Sequence, residues 1–367
     1  MAGLTMQDLY DHLMENTLPD TSPFYFIDQE LDDVHYRIFS YRASIPRDFK
    51  CNMDLESRGI MFEMLDDKPI RLACRPPEKF FNHTEHSEYD FDIYDRPDDI
   101  DQVFDKADGS LISTYLHKGE LKLKSKGSVK SDHANAAMWW LAHPAQGDIE
   151  SALRDLAGRY TVNMEWVSPE TPFRIVLNYS KPQLIVLNAR HIETGEYLPH
   201  DTMELLFGKY LIEQYHGINN DIKPLIENMS EKEGYVITNK DGLRVKVKCQ
   251  WYLDRHRCID IIKNPNNFIE LVLKGEADDV KQLMFHLKDE MDRIEYAVTR
   301  YVNHTANTVT TYFEEHKDWI RKDYAIKAKE VLSSVEFTFA MMYYVKREEP
   351  DWNGFLIRSV KKIDWGL

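Results

Sequence analysis

The chain of 367 residues is poor in cysteine and contains no long apolar run. Its four cysteines, Cys51, Cys74, Cys249 and Cys258, form no CxxC pair, which predicts a reduced, cytoplasmic compartment and argues against a zinc site. No run approaches the roughly 20 apolar residues that cross a bilayer, so we expect no membrane partner. The opening segment MAGLTMQDLYDHLMEN lacks the basic start of a secretion signal and predicts a short amphipathic helix.

The chain also lacks an excess of basic residues, because 46 Lys and Arg stand against 62 Asp and Glu, a net charge of -16. This balance argues against a protein that coats nucleic acid nonspecifically, since affinity for the phosphate backbone needs cations. Segment 118–130 (KGELKLKSKGSVK) reverses the balance, with five lysines and one acid. A solvated hairpin face and a local phosphate-binding site both fit this segment, and its composition alone favours the hairpin.

The first two thirds of the chain mix strand and helix patterns. Segments rich in Val, Ile, Tyr, Phe and Thr predict strands. These segments are 34–41, 58–64, 70–75, 111–117, 120–126, 160–167, 173–179, 183–190, 234–239 and 243–251. Helices are predicted at 132–143, 148–157 and 201–215. Lys118-Gly119 and Lys240-Asp241-Gly242 are typical of hairpin turns.

After about residue 254 the pattern becomes helical. Val280, Leu283, Met284 and Leu287, for example, fall on one helical face. The predicted helices are 265–274, 277–294, 295–318, 322–345 and 353–362. The sequence therefore predicts an α+β domain over residues 1–253, followed by a smaller all-helical domain over residues 254–367.

The segment that suggests chemistry is Asp105-Lys106-Ala107-Asp108-Gly109, just before a predicted strand. A KxDG string alone is weak, because it also occurs in exposed turns. Other suggestive residues accompany it in order along the chain. They are Arg58-Gly59, Lys79-Phe80-Phe81, Lys124 and Lys126, Glu165, Glu233-Gly234-Tyr235-Val236, and Lys246 and Lys248. Strand alternation is expected to place Lys246 and Lys248 on one face of their strand, and Lys124 and Lys126 on one face of theirs.

This ordered set resembles the covalent nucleotidyltransferase superfamily, and most closely the phage-type, tRNA-repairing, ATP-dependent RNA ligase 1 family. The strings that carry the resemblance are RGIMFEM, EKFFN, KADGSLISTY, LKSKGS, NMEWV, TGEY, EGYV and KVK followed by Trp-Tyr. The resemblance implies a nucleotidyltransferase domain built on antiparallel sheets, followed by a helical C-terminal domain that selects RNA. It also implies a ligase that joins 3′-OH and 5′-phosphate RNA ends through lysyl-AMP and an adenylylated 5′-phosphate.

The resemblance assigns a role to each matched residue. Lys106 is the expected nucleophile, and Lys246 and Lys248 are expected to contact the α-phosphate and assist its attack. The expected nucleotide-binding set is Tyr41, Arg58, Lys79, Phe81, Lys126, Glu165, Glu233, Lys246 and Lys248, with Phe81 stacking near adenine. Glu165, Glu233 and Asp278 are the expected metal-binding residues. For Asp278 a helix cap is an equal alternative, because Asp278 and Asp279 form an acidic pair at the start of a predicted helix. Ser113 and Tyr252 match positions that matter for RNA ligation.

The expected cofactors are ATP and Mg²⁺, with Mn²⁺ as a substitute. A free lysine has a pKa of about 10.4, so the nucleophile must lose a proton before it attacks. A cation about 5 Å away, at an effective dielectric constant of about 20, costs the ammonium form roughly 3 kcal/mol. A Mg²⁺ ion, or a cluster of Lys246, Lys248 and Arg58, therefore favours a reactive amine.

The resemblance also implies partners and leaves alternatives open. The expected substrate is RNA with 3′-OH and 5′-phosphate ends from broken tRNA, and the expected functional partner is an end-healing polynucleotide kinase/phosphatase. The protein is expected to be a monomer in the cytoplasm of a host cell. A DNA ligase or an mRNA-capping enzyme is a first alternative, although those relatives usually continue into a β-barrel. A nucleotide- or RNA-binding protein without catalysis is the second. Ala107, and Cys249-Gln250 before Trp251, depart from the family pattern, and the second departure bears on the choice of RNA end.

Overall fold

The computed structural model describes residues 5–18, 22–42, 46–170, 175–217, 222–283 and 287–365. The chain divides into two compact units, Met1–Leu253 and Asp254–Leu367, called here the N-terminal and the C-terminal unit. None of the helices within the described ranges combines the length and the apolar character needed to cross a membrane. All four cysteines are described, and they form no disulfide.

Three sheets form the N-terminal unit, and almost all of their strand pairs are antiparallel. Sheet I has the order β1 (Phe24–Leu31), β2 (Val34–Tyr41), β3 (Met61–Leu65) and β4 (Lys68–Cys74). Sheet II has the order β10 (Gln183–His191), β9 (Tyr160–Val167), β7 (Ser110–His117) and β8 (Glu120–Ser125). Sheet III has the order β11 (Gln214–Tyr215), β6 (Ile100–Asp105), β12 (Gly234–Asn239), β13 (Arg244–Lys248) and β5 (Phe81–Asn82), with only β5 parallel to its neighbour.

Helices cover one face of sheet II. They are α2 (Asp132–Leu141), α3 (Gly147–Leu156) and α4 (His200–Phe207). Along β9, Val162, Met164 and Trp166 are buried in the same apolar cluster as residues of these helices. Because side chains alternate along a strand, Asn163 and Glu165 lie on the opposite face. That face of sheet II therefore carries polar side chains.

A shorter helix, α1 (Met6–Asn16), packs on sheet I, as its amphipathic sequence predicts. Leu9, Tyr10 and Leu13 are buried with Phe39 and Phe62 of the sheet. A capping box between the N-cap residue of α1 and its third residue fixes the helix start. A further short helix, α5 (Ile222–Glu227), contributes Ile222 to the cluster on the outer face of sheet III.

The described part of the C-terminal unit is helical. Its helices are α6 (Gln250–Lys263, which begins in the N-terminal unit), α7 (Pro265–Lys274), α8 (Ala277–Leu283), α9 (Lys288–His316), α10 (Arg321–Val331), α11 (Ser334–Lys346) and α12 (Trp352–Ser359). The α7 bounds agree with the prediction because Asn264 caps its start and Gly275, with φ of 75°, ends it. An α+β fold with antiparallel sheets, followed by helices, is therefore confirmed.

Several local predictions were wrong. The described part of the predicted strand 173–179 is irregular, since the amides of Val176 and Leu177 donate to the Asp108 carboxylate rather than to a neighbouring strand; residues 171–174 lie outside the described ranges. The predicted helix 201–215 ends at Phe207, and the predicted strand 243–251 ends at Lys248, where α6 soon begins.

Other errors concern where helices divide and which strands went unrecognised. Segments 277–294 and 295–318 do not form one helix each, because α9 runs continuously across their junction. The predicted helix 322–345 is two helices, because Ser333 and Glu336 form a capping box that starts α11. The prediction missed β1 and β6, whose sequences contain several acidic or amide residues.

A buried ionic network joins the three sheets. Glu56 accepts hydrogen bonds of 2.8 Å from Arg75, which follows sheet I, and from Arg190 in sheet II. These three side chains are no more than 3% exposed. Glu78 continues the network, with 3.3 Å to Arg190 and 2.5 Å to Arg244 in sheet III. The network therefore fixes the sheets relative to one another.

Replacing Glu56 with Ala should lower the free energy of unfolding by about 3–5 kcal/mol, because two buried guanidinium groups lose their shared carboxylate. Urea unfolding followed by circular dichroism measures the change. Glu150→Ala is the matched control, since Glu150 also pairs with an arginine, Arg154, but on the exposed surface of α3, where a pair contributes about 0.5 kcal/mol. Equal effects of the two variants would contradict a structural role for the network.

Candidate active site

The candidate site lies between sheets II and III, whose polar faces look toward each other. Lys106 follows the last residue of β6 and precedes β7, so the short connection 106–109 crosses from one sheet to the other. The Lys106 amide donates to the carbonyl of Gly234 at 3.0 Å, which ties this connection to the start of β12. The backbone therefore holds Lys106 beside the EGYV string.

One carboxylate contacts two of the lysines that the sequence predicts for the site. Oε1 of Glu233 lies 2.7 Å from Nζ of Lys106 and 2.9 Å from Nζ of Lys248. The Glu233 side chain is 4% exposed, whereas the lysines are 20% and 25% exposed. Gly234 pairs with Lys248 across the β12–β13 hairpin, which explains why the preceding Glu233 reaches both amines.

More cations line the cleft beside Tyr41 and Phe80. Nζ of Lys246 is 4.5 Å from the Phe80 ring centroid, and Nζ of Lys126 is 4.3 Å from that of Tyr41. Burial, with Arg58 nearby, holds the pKa of Lys246 well below its ordinary value. Burial and the same arginine lower the pKa of Lys126 to about 8. A site that penalises its own cations in this way suits an anionic ligand.

Lys79 belongs to the same group of cations, but Lys124 does not. Burial, assisted by the positive charge of Arg58, lowers the pKa of Lys79. The Lys124 side chain is completely buried and donates to the carbonyls of Gly59 at 2.9 Å and Lys126 at 3.3 Å. Strand β8 ends at Ser125, so Lys126 lies beyond the strand, and the prediction that it shares a strand face with Lys124 is wrong.

Glu165 faces the same cleft from sheet II. Burial raises its pKa to about 7, against an opposing effect of the Lys106 charge and a reinforcing effect of Glu233. A carboxylate with this pKa exchanges its proton near neutral pH. Glu165 and Glu233 together offer oxygen ligands of the kind that Mg²⁺ prefers.

Asp108 organises the connection that carries Lys106. Its carboxylate accepts from the amides of Val176 and Leu177, each at 2.7 Å, and from the Tyr252 hydroxyl at 2.7 Å. Its own amide donates to the Tyr179 hydroxyl at 2.9 Å. The three hydrogen bonds to the carboxylate explain why an aspartate occupies this place in KxDG.

Gly109 is required for packing. A Cβ atom on it would lie 2.3 Å from the carbonyl oxygen of Trp166, closer than real side chains approach. The Asp-Gly pair therefore has a tertiary role in this protein, and the exposed-turn interpretation of the string does not apply. Asp108 itself is only 3% exposed.

Three other predicted residues, Phe81, Ser113 and Asp278, differ in burial and in their contacts. Phe81 is 1% exposed and packs with Phe49 and Tyr89, whereas the neighbouring Phe80 lines the cleft; stacking of Phe81 near adenine stays a prediction. Ser113 is 2% exposed and donates to Asn163 at 2.7 Å. Asp278 is an exposed residue of α8 in the C-terminal unit.

A cavity of about 360 Å³ continues the cleft between sheets II and III. Its apolar wall includes Leu111, Leu187 and Val236, and its polar wall includes Asn188 and Arg244. Leu187, Asn188 and Arg244 are not among the residues that the motifs predicted for the site. The alternation in QLIVLNAR could not identify Leu187 and Asn188, because a register shift in β10 interrupts it there.

A second group of metal-ligand types lies at His12, Cys51 and Asp54, whose ligand atoms are within 4.8 Å of one another. Asp54 already accepts hydrogen bonds from the side chains of His12 and Asn16 and from the amides of Lys50 and Cys51. These bonds account for the arrangement as a connection between α1 and the loop at 50–54.

Family comparisons agree with this geometry. Residues 56–252 match the RNA ligase family model, and residues 259–362 match that of the T4 RNA ligase 1 C-terminal domain. The chain belongs to the RNA ligase family. The resemblance to RNA ligase 1 that the motifs indicated is thereby confirmed, and the matched region contains the candidate site residues from Arg58 to Tyr252.

Three relatives show how far the similarity extends. A protein of Thermovibrio ammonificans with the provisional name RNA ligase is 29% identical over 253 residues, or 66% of this chain and 64% of the relative. RNA ligase 1 of bacteriophage TS2126 is 27% identical over 259 residues, or 66% and 62%. A provisionally named bifunctional polynucleotide kinase/RNA ligase of Autographa californica nuclear polyhedrosis virus is 25% identical over 264 residues, or 67% and 37%. The match therefore spans less than two thirds of each relative.

Among solved structures, an archaeal ATP-dependent RNA ligase aligns with 93% of this chain and 81% of its own, at 12% identity and a TM-score of 0.47. The family assignment therefore depends on the sequence matches. In the present chain, Lys106, Glu165, Glu233, Lys246 and Lys248 all lie on the strands that border one cleft or directly next to those strands.

Replacing Glu165 with Gln tests its protonation in the folded protein. Its pKa of about 7 lies above the ordinary 4.5, so the stability that its neutral form provides is present below about pH 4.5 and lost as pH rises through 7. The Gln variant stays neutral and should gain up to about 3 kcal/mol over the wild type between pH 5 and pH 8.5. Urea unfolding at both pH values measures this, and a pH-independent difference would contradict the assignment.

Proposed function

We propose that the protein is an ATP-dependent RNA ligase that carries AMP on Lys106. The observation that supports this proposal best is the contact of Glu233 Oε1 with the amines of both Lys106 and Lys248, at 2.7 and 2.9 Å, beside a cavity in the same cleft. A nucleophile, a second cation and a base-sized space are the parts that nucleotide transfer to a lysine needs.

In the first step, Nζ of Lys106 attacks the α-phosphorus of ATP. An N–P bond forms, the P–O bond to pyrophosphate breaks, and the amine loses its proton. Lys246 and Lys248 neutralise charge on the α-phosphate, while Arg58, Lys79 and Lys126 contact the other phosphates or the ribose. Displacement at phosphorus depends on such positioning and charge neutralisation.

Glu165 and Glu233 fit a divalent cation. Their carboxylates share one cleft, and the nearby negative charge of Glu233 contributes to the raised pKa of Glu165. These two carboxylates would hold the cation, because hard oxygen donors suit Mg²⁺ or Mn²⁺. A bound cation supplies charge neutralisation for the triphosphate. Asp278 stays a separate metal-binding proposal, from the C-terminal unit.

The adenine base is assigned to the cavity between sheets II and III. Leu187 and Val236 offer apolar contacts from opposite sheets, and Phe80 lies at the phosphate side below Lys246. Tyr41 contacts Lys126 and thereby limits the positions that this lysine can take. Phe81 packs with Phe49 and Tyr89, and its proposed role is to support the segment that carries Phe80.

In the later steps, AMP passes to an RNA 5′-phosphate, and a 3′-hydroxyl then displaces AMP to form the phosphodiester. Tyr252 supports these steps by holding Asp108 in place, and Ser113 supports them through Asn163. The N-terminal unit is the proposed adenylyltransferase. The C-terminal unit is proposed to select RNA, and broken tRNA is the proposed natural substrate.

An end-healing polynucleotide kinase/phosphatase is the proposed functional partner, because the proposed ligation needs a 3′-OH and a 5′-phosphate, and breaks with other ends must first be converted to these. The name of the Autographa californica virus relative combines a polynucleotide kinase with an RNA ligase in one chain. The partner here acts in sequence with the ligase, on the same RNA ends, and the ligase itself acts as a monomer.

Incubation with α-labelled ATP and Mg²⁺, followed by a denaturing gel, tests the first step. The wild type should retain label, and Lys106→Ala should retain less than about 1% of it, because the attacking amine is absent. Lys122→Ala is the matched control, since Lys122 pairs with Glu120 on the neighbouring hairpin outside the cleft. Label in Lys106→Ala would contradict the proposal, and stronger labelling by GTP would indicate a capping enzyme.

A ligation assay tests the substrate. A nicked tRNA anticodon stem-loop with 3′-OH and 5′-phosphate ends should be sealed at least about tenfold faster than a nicked DNA duplex, a discrimination of about 1.4 kcal/mol. Linear single-stranded RNA serves as the comparison for the tRNA shape. Equal or faster sealing of the DNA nick would overturn the RNA assignment even if lysyl-AMP forms.

A further inference from the structure

A chain of hydrogen bonds crosses sheet II on its cleft face. Ser113 in β7 donates to Oδ1 of Asn163 in β9 at 2.7 Å, and Nδ2 of Asn163 donates to Oδ1 of Asn188 in β10 at 2.9 Å. Ser113 and Asn163 are buried, at 2% and 0% exposed, whereas Asn188 lines the cavity. These hydrogen bonds therefore lead from the interior of the sheet to the cavity proposed to hold the base.

The direction of this chain is fixed by a backbone carbonyl. Nδ2 of Asn163 also lies 3.3 Å from the carbonyl oxygen of Thr161, which can only accept a hydrogen bond. The amide nitrogen of Asn163 must then face Thr161 and Asn188, and Asn188 must accept through its oxygen. The remaining group of Asn188, its NH₂, is left as a donor for the cavity.

A β-bulge brings Asn188 to the cavity together with its neighbour. Val186 pairs with Met164 and Asn188 pairs with Asn163, so Leu187 is an extra residue in β10. In a regular strand two consecutive side chains face opposite sides, but here both Leu187 and Asn188 line the cavity. Bulges redirect side chains in this way next to functional sites.

We infer that Asn188 is a specificity-determining residue, whose NH₂ group donates to a ring-nitrogen acceptor of the purine base while Leu187 packs on the base. The inference deepens the proposed function and depends on a purine nucleotide occupying the cavity. Ser113 and Asn163 are positioning residues, since they prevent the Asn188 amide from turning over and presenting its oxygen. A purine edge with a donor at the corresponding place leaves two donors facing each other, which is unfavourable.

ATP analogues with CH in place of ring nitrogen N1, N3 or N7 test this inference. For the wild type, one analogue should show kcat/KM for lysyl-AMP formation about tenfold below that of ATP, because the Asn188 donor loses its acceptor. In Asn188→Ala this analogue and ATP should react within about twofold of each other. Gln183→Ala is the matched control, since Gln183 is an amide residue at the start of the same strand and should keep the wild-type pattern.

A second variant covers the case in which Asn188→Ala does not fold, which a thermal melt detects. Asn188→Asp keeps the side-chain size and the bond from Asn163, but presents an oxygen to the cavity, so it should also lose the preference for ATP over that one analogue. Equal reaction of the wild type with all three analogues, or retention of its preference in the folded variants, would overturn the inference. Failure of the wild type to form lysyl-AMP with ATP would instead overturn the proposed function.

Discussion

The contact of Glu233 with two lysines is the interaction on which the candidate site depends. A carboxylate that is 4% exposed needs a positive partner, and Lys106 and Lys248 both supply one. Because Lys106 lies in the connection from sheet III to sheet II, while Glu233 directly precedes β12 and Lys248 ends β13, the contact holds Lys106 at the point where the chain passes between the two sheets. The pairing of the Glu233 charge with the two lysines thus forms only when the strands around the site have folded.

The cleft is polar because sheet II is covered on its other face. Helices α2, α3 and α4 bury Met164 and Trp166 and leave Asn163 and Glu165 on the side toward sheet III. Sheet III repeats this division, with Tyr235 and Ile237 in an apolar cluster and Val236 at the cavity. Two half-polar sheets facing each other form a space in which charges lose water, and this burial is the main cause of the shifted pKa values of Glu165, Lys126 and Lys246.

The buried ionic network around Glu56 has a structural role rather than a ligand-binding one. Its arginines are too well buried to meet a ligand, and they bind backbone carbonyls as well as carboxylates: Arg75 contacts Glu193 and Arg190 contacts Pro76. At its outer end, however, Arg244 reaches the cavity wall. The network thereby connects the stability of the three-sheet framework to the position of the strand that carries Lys246 and Lys248.

The sequence by itself determined the family, the order of most elements and the group of candidate residues from Lys106 to Lys248, because KxDG, EGYV and KVK are short strings that can be recognised without knowing their distant contacts. Tertiary structure decided the rest. Adjacent Phe80 and Phe81 look equivalent, and only packing against Phe49 and Tyr89 places Phe81 in the core. The role of Asn188 depends on a bulge and on hydrogen bonds across three strands, and neither leaves a periodic signal in the sequence, since both arise from register between segments far apart in the chain.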